Sequence, residues 1–250
     1  MFLKELIALT KPLGRSLAIV GTDTGVGKTA VTAALYAYCR RHFAHTTVAI
    51  NKPIQAGPGD REQFQALFQL NQSPESLNPI YFRDPLAPPL AADREGVQID
   101  LGMPWRSLLQ LQQDYDLTLV ETAGGLGSPM TWELTVADLV GEWRLPAILV
   151  VPVRLGCISQ AVANMALARQ CKLAVKGIVL NCVEPRSPEE QRQWAPVEAI
   201  AQLTRVPILG FLPYIPEPWT VESLAMAAAT LDLEYLELQE LPSMTGVVAT

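Results

Sequence analysis

The chain has 250 residues, of which 49% are apolar and 18% charged, enough apolar material for a large core and too much for intrinsic disorder. A formal net charge of −6 argues against the broad basic surface of a nucleic-acid binder. The opening MFLKELIALTKPLG, with LIAL as its longest apolar run, is too short for a membrane span or a signal-peptide core, so a cytoplasmic protein is expected. Cys39, Cys157, Cys171 and Cys182 form no CxxC pair, which predicts reduced thiols, three of them buried, and neither a zinc site nor a disulfide framework.

In chain order, residues 1–15 are expected to form a short surface helix. SLAIVG at 16–21 is an apolar run ending in glycine, and 28–41 carries Ala30, Val31, Ala34, Leu35 and Tyr38 at helical spacing, giving strand, loop and helix. Further strands are predicted at 46–53, 116–125, 146–153, 175–181 and 206–213, and helices at 61–70, 104–113, 159–170 and 188–203. Such alternation, with nearly continuous apolar strands, implies a doubly wound α/β fold, a mostly parallel sheet flanked by helices on both faces. The proline-rich insertion at 71–103 is expected over the carboxyl edge of the sheet, facing substrate, and the tail from 240 is expected to be loosely held. One domain over 1–250 is the working expectation.

GTDTGVGKT at 21–29 is a P-loop. Its glycines let backbone N–H groups turn toward phosphate oxygens, its lysine reaches the β and γ phosphates, and its hydroxyl ligates magnesium. Gly25, Val26, Gly27, Lys28, Thr29 and Ala30 form the nucleotide-binding stretch, although strict spacing would put glycine where this chain has Thr22. A cation at a helix N-terminus opposes the macrodipole, and a phosphate bound between the two removes the conflict for Lys28. Glu121, ending LTLVE, and Asp60, opening a helix after KPIQAGPGD, offer with Thr29 an all-oxygen set suited to Mg2+. For Asp60 a helix N-cap is an equally open reading.

In order and spacing, GTDTGVGKT, NKPIQAG, LAPPLAAD with EG, VETAGG, RLGC and VLN resemble dethiobiotin synthetase over about residues 17–215. That family joins 7,8-diaminopelargonic acid and carbon dioxide into a cyclic urea during biotin synthesis, cleaving ATP to ADP and phosphate. The resemblance implies a carbamate, then its mixed anhydride with phosphate, then ring closure by the second amine. It makes Lys52 the catalytic lysine beside Lys28, Thr24 a contact of the carbamate or phosphate, and Gly124 part of the nucleotide site. It places adenine at Asn181, Pro213, Tyr214 and Ile215. It uses Gly156, Cys157, Ile158 and Ser159 of a neighbouring subunit to hold the substrate carboxylate, hence a homodimer with the active site at the interface. For the last stretch an ordinary helix start capped by Ser159 shares the same geometry, and both readings stand.

Two positions depart from the family. Ala56 stands where a Ser or Thr hydroxyl is usual, a loss of about 1 kcal/mol that raises KM, with the backbone N–H groups of Ala56 and Gly57 left to serve. Thr122 stands where glycine is usual, and its β-branch is uncomfortable if glycine's freedom is used there. The rival reading is a ParA or MinD type regulatory NTPase. Those switches carry a signature lysine early in the loop, where this chain has Asp23, and the chain shows no strongly basic membrane helix. An amidotransferase-linked synthetase would need a glutaminase domain for which 250 residues leave no room.

Overall fold

The structure, a computed structural model, describes residues 14–236; the helix expected over 1–15, apart from its last two residues, and the tail from 240 lie outside the described residues. All six expected strands form: β1 (Arg15–Gly21), β2 (Val48–Asn51), β5 (Leu117–Glu121), β6 (Ala147–Pro152), β7 (Val175–Asn181) and β8 (Ile208–Leu212). They make one sheet in the order β2-β5-β1-β6-β7-β8, each neighbouring pair parallel. From β1 the chain moves out to β2, returns to β5, then crosses β1 to β6. The carboxyl ends of β5, β1 and β6 therefore lie side by side, where doubly wound sheets bind ligands.

Strand side chains alternate between two cores. Leu17, Ile19, Ile148 and Val150 pack on one face with Val31 and Leu35 of α1 (Lys28–His42), while Ala18, Val20, Leu149 and Val151 pack on the other. That second face is covered by α5 (Gly102–Asp114), α6 (Val136–Glu142) and α7 (Cys157–Gln170) through Leu108, Leu139 and Met165. Each such fully buried aliphatic side chain contributes on the order of 1.5–3 kcal/mol, so the sheet is fixed from both sides.

Several elements differ from expectation. The helix predicted at 188–203 is two, α8 (Pro188–Trp194) and α9 (Val197–Thr204), because Pro196 lacks an N–H and drives Ala195 to φ −129°, ψ 64°. The insertion at 71–103 contains α3 (Pro74–Leu77), β4 (Ile80–Phe82) and α4 (Pro88–Glu95), and β4 pairs in parallel with β3 (Ile54–Ala56). Strands of three residues are too short to show a period in sequence. The unforeseen α6 and α10 (Val221–Ala228) had a legible signal: the Thr135 and Thr220 side chains accept from the Asp138 and Ser223 N–H groups, three residues on. The helix expected at 61–70 forms as α2 (Asp60–Phe68).

Cys39, Cys157 and Cys182 are buried and Cys171 is partly exposed, all four as free thiols. Burial pushes the Cys39 thiol up to about 12 and raises the others, with Asp138 beside Cys171 adding to its shift. Exposure decides among them. A disulfide exchange reagent at pH 8 is expected to modify Cys171 alone in the native protein and all four after urea denaturation; fast native labelling of a second thiol would contradict this packing.

Candidate active site at the carboxyl edge

The P-loop leaves β1 at Gly21 and enters α1 at Lys28. A Cβ on Gly21 would meet Val26 Cγ2 at 2.7 Å, so the bare residue is needed one position before the strict Walker glycine. Thr22 fits because it extends the sheet, its N–H donating to Val150 O at 3.1 Å. Gly27 caps α1 at φ 86°, and a Cβ there would lie 2.0 Å from Asn181 Nδ2. That amide donates to Val26 O at 2.9 Å. The loop is thus braced from the end of β7.

Three segments bring a charged cluster together. Thr29 Oγ1 lies 2.9 Å from Asp60 Oδ1 and 3.1 Å from Glu121 Oε1, so the three expected magnesium ligands converge although they are far apart in sequence. Asp60 is the first residue of α2, with Gly59 as N-cap, so the capping reading for Asp60 does not hold. Lys52 Nζ donates to Glu121 Oε1 at 2.9 Å and to Asp60 Oδ2. Lys28 and Lys52 are buried, and Glu121 is fully so at 0% exposure. Glu121 Oε2 is buried without a partner, which leaves an acceptor aimed at no protein donor. An oxygen set with one unpaired carboxylate oxygen suits a hard divalent cation.

Lys52 is held at its backbone from the insertion: its N–H donates to Leu77 O at 2.6 Å, and its carbonyl accepts from Asn78 Nδ2 at 2.8 Å. Beside it opens a cavity of about 360 Å³ lined by Thr24, Lys52, Gln55, Ala56, Asp60, Gly124 and Ser128, with Pro85–Pro88 of the insertion as one wall. Ala56 brings no hydroxyl, and the Gly57 N–H expected to serve in its place is spent on Phe82 O at 2.9 Å. Ser128, not singled out from sequence, puts a hydroxyl in this cavity, its oxygen accepting from Gly125 N–H at 2.8 Å. Thr122 is accommodated: its φ is not positive, and its N–H and hydroxyl both donate to Ile19 O, at 3.1 and 3.2 Å.

Other expected residues lie outside this cavity. Gly156, at φ 89°, caps α7, so Ser159 stands inside the first turn and is not the cap. Residues 156–159 do not line the cavity of their own chain. Tyr214 is exposed, whereas the Ile215 side chain joins the core and its carbonyl accepts from Trp219 Nε1 at 3.1 Å.

Comparison with known proteins adds a family to this geometry. Residues 15–218 match the model of an AAA domain family. The ATP-dependent dethiobiotin synthetase BioD of Gloeothece citriformis is 49% identical over 88% of this chain and 98% of that protein. The protein of the same name from Synechocystis sp. is 45% identical over 89% and 94%. Among solved structures, a chain of the MinC:MinD cell division complex of Aquifex aeolicus superimposes with a TM-score of 0.56 at 16% identity, covering 95% of this chain and all of that one. A ParA family ATPase from Chlorobium tepidum gives 0.55 at 13% identity, covering 93% of this chain. At such identities these two likenesses concern the fold alone.

Burial lowers the Lys28 ammonium to about 8; Glu121 opposes the shift, Lys52 adds to it and Asp23 opposes it. A triphosphate bound against this ammonium would favour the charged form and raise that value. Below about pH 7.5 the lysine is already charged, so affinity is flat; above about 8 binding must take up a proton, and affinity falls up to about tenfold per pH unit. Titration with ATP in EDTA, which removes any metal contribution, should show this break, and a profile flat to pH 9.5 would contradict it.

Proposed function

The chain belongs to the ATP-dependent dethiobiotin synthetases, and from that premise we propose how its residues close the cyclic urea of biotin biosynthesis from 7,8-diaminopelargonate, carbon dioxide and ATP. The observation that carries this assignment of roles is that Lys52, Thr24 and Asp60 line one cavity that opens against the P-loop.

The triphosphate lies along the N–H groups of residues 25–30, at the positive end of α1, with Lys28 on the β and γ oxygens. Thr29, Asp60 and Glu121 would hold magnesium, which would screen phosphate charge. In the cavity one substrate amine adds to carbon dioxide and loses a proton, giving a carbamate. A carbamate oxygen then forms a bond to the γ phosphorus as the bond to the β-phosphate oxygen breaks and ADP departs. The second amine attacks the carbonyl carbon, inorganic phosphate leaves with the C–O bond electrons, and that nitrogen loses a proton. Negative charge grows on small oxygens throughout. Lys52 and Lys28 stabilise it without a covalent enzyme intermediate. The long stem of Lys52 lets its nitrogen turn from the two carboxylates to a carbamate in the cavity. Thr24 lines the cavity and turns its hydroxyl to the transferred group, while its N–H donates to Asp23 Oδ1 at 2.7 Å.

For adenine, Asn181 retains its carbonyl oxygen as an acceptor while its amino group holds the P-loop; Pro213 and Tyr214 flank the base, and Ile215 acts through its backbone. Residues 156–159 are assigned to the site of a second copy in a homodimer. That they do not line the cavity of their own chain supports this, as does Leu155, 76% exposed beside them. The protein is placed in the cytoplasm, in keeping with its free thiols. No helix among the described residues is long and apolar enough to cross a membrane.

Diaminopelargonate with bicarbonate should stimulate ATP cleavage with equal formation of the cyclic urea; cleavage indifferent to the diamine but raised by DNA or lipid would favour a switch. Lys52→Ala should bind ATP within about threefold of the parent and lose at least roughly a hundredfold in turnover. Unchanged turnover would remove Lys52 from the chemistry.

Mixing tests the shared site. Lys52→Ala and Gly156→Asp, the latter placing an anion at the carboxylate-binding helix end, should each be inactive as homodimers, and mixed subunits should regain activity through one intact site per heterodimer. No recovery after verified subunit exchange would place the substrate tail within one chain.

A further inference from the structure

Asp60 opens α2 directly after a loop that turns twice through positive φ. Between β3 and α2 the chain runs Gly57, Pro58, Gly59, and both glycines sit at positive φ, 82° and 140°, which side chains disfavour and glycine adopts freely. One side chain spans this loop from beneath. Gln55 is 2% exposed, and its amide is nearly fully used within the loop. Oε1 accepts from Arg61 N–H at 3.1 Å, and Nε2 donates to Gly57 O at 3.0 Å and reaches Glu62 Oε2 at 3.5 Å. Glu62 Oε2 in turn accepts from Gly59 N–H at 2.9 Å. The partners fix which end of the amide is oxygen, since one is an N–H and the other a carbonyl.

We propose that Gln55 is a positioning residue that fixes the start of α2 and so aims the Asp60 carboxylate at the cation site; the proposal rests on the reading of Asp60 as a magnesium ligand. Lys52, which holds Asp60 from its side-chain end, competes with a cation for that carboxylate. Anchorage that survives cation binding has to come from the backbone side, and Gln55 supplies it. Supporting residues of this kind typically account for about 10–100-fold in metal affinity.

The test uses Mn2+ bound together with a non-hydrolysable ATP analogue, read by electron paramagnetic resonance. Gln55→Met, of similar length without hydrogen bonds, and Gln55→Ala should each weaken Mn2+ about tenfold or more, with affinity for the analogue in EDTA unchanged. Asp60→Asn, measured alongside, should weaken it at least as much. If Asp60→Asn leaves Mn2+ affinity intact, the ligand reading itself fails. If Asp60→Asn weakens it while folded Gln55 variants do not, the positioning role alone is overturned. Loss of the folded state in both Gln55 variants, or an equal loss of metal-free nucleotide affinity, would likewise overturn it by making Gln55 a general structural residue.

Discussion

The site depends on a buried charge cluster in which Lys52 meets Glu121 and Asp60 while Lys28 lies close by. Charges withdrawn from water are tolerated only in company, and removing one member of a buried pair typically costs about 3–5 kcal/mol. The P-loop, the loop after β2 and the end of β5 are therefore tied to one another by electrostatics as much as by packing. The arrangement leaves one buried Glu121 oxygen without a hydrogen-bond partner.

The sheet order makes that meeting possible. Ile19 of β1 is in register with Glu121 of β5, and Gly21 with Val150 of β6, so the strand ends carrying the phosphate loop, the acid and the RLGCIS turn emerge together. MinD and ParA chains share this architecture at the level of the fold. At the edge of the sheet in this chain, Lys52, Ala56 and the proline wall of the insertion enclose a cavity beside the P-loop.

Much of this was legible beforehand because the responsible signals are local. The P-loop, the six apolar strands and the carboxylates at strand and helix starts are patterns of neighbouring residues. The places that resisted are those where a pattern was too short or its partner too distant. Nothing around Ile54 and Ile80 announces that they pair, whereas Pro196 stands in plain view within 188–203 and divides that stretch into two helices. Thr122 looked uncomfortable by analogy with glycine; its ordinary φ and double bond to Ile19 O show that no special freedom is used at that position.

By itself the sequence determined the fold class, the phosphate cradle and the family, because hydrophobic period and motif spacing are properties of the chain alone. It also nominated Thr29, Lys52, Asp60 and Glu121. Only the tertiary structure decided that they share one cluster, that Gln55 braces the loop bearing Asp60, that Ser128 brings a hydroxyl to the cavity, and that the Gly57 N–H is already taken. Those facts depend on contacts between segments distant in the chain, and such contacts are settled by how the sheet is wound and what the insertion packs against.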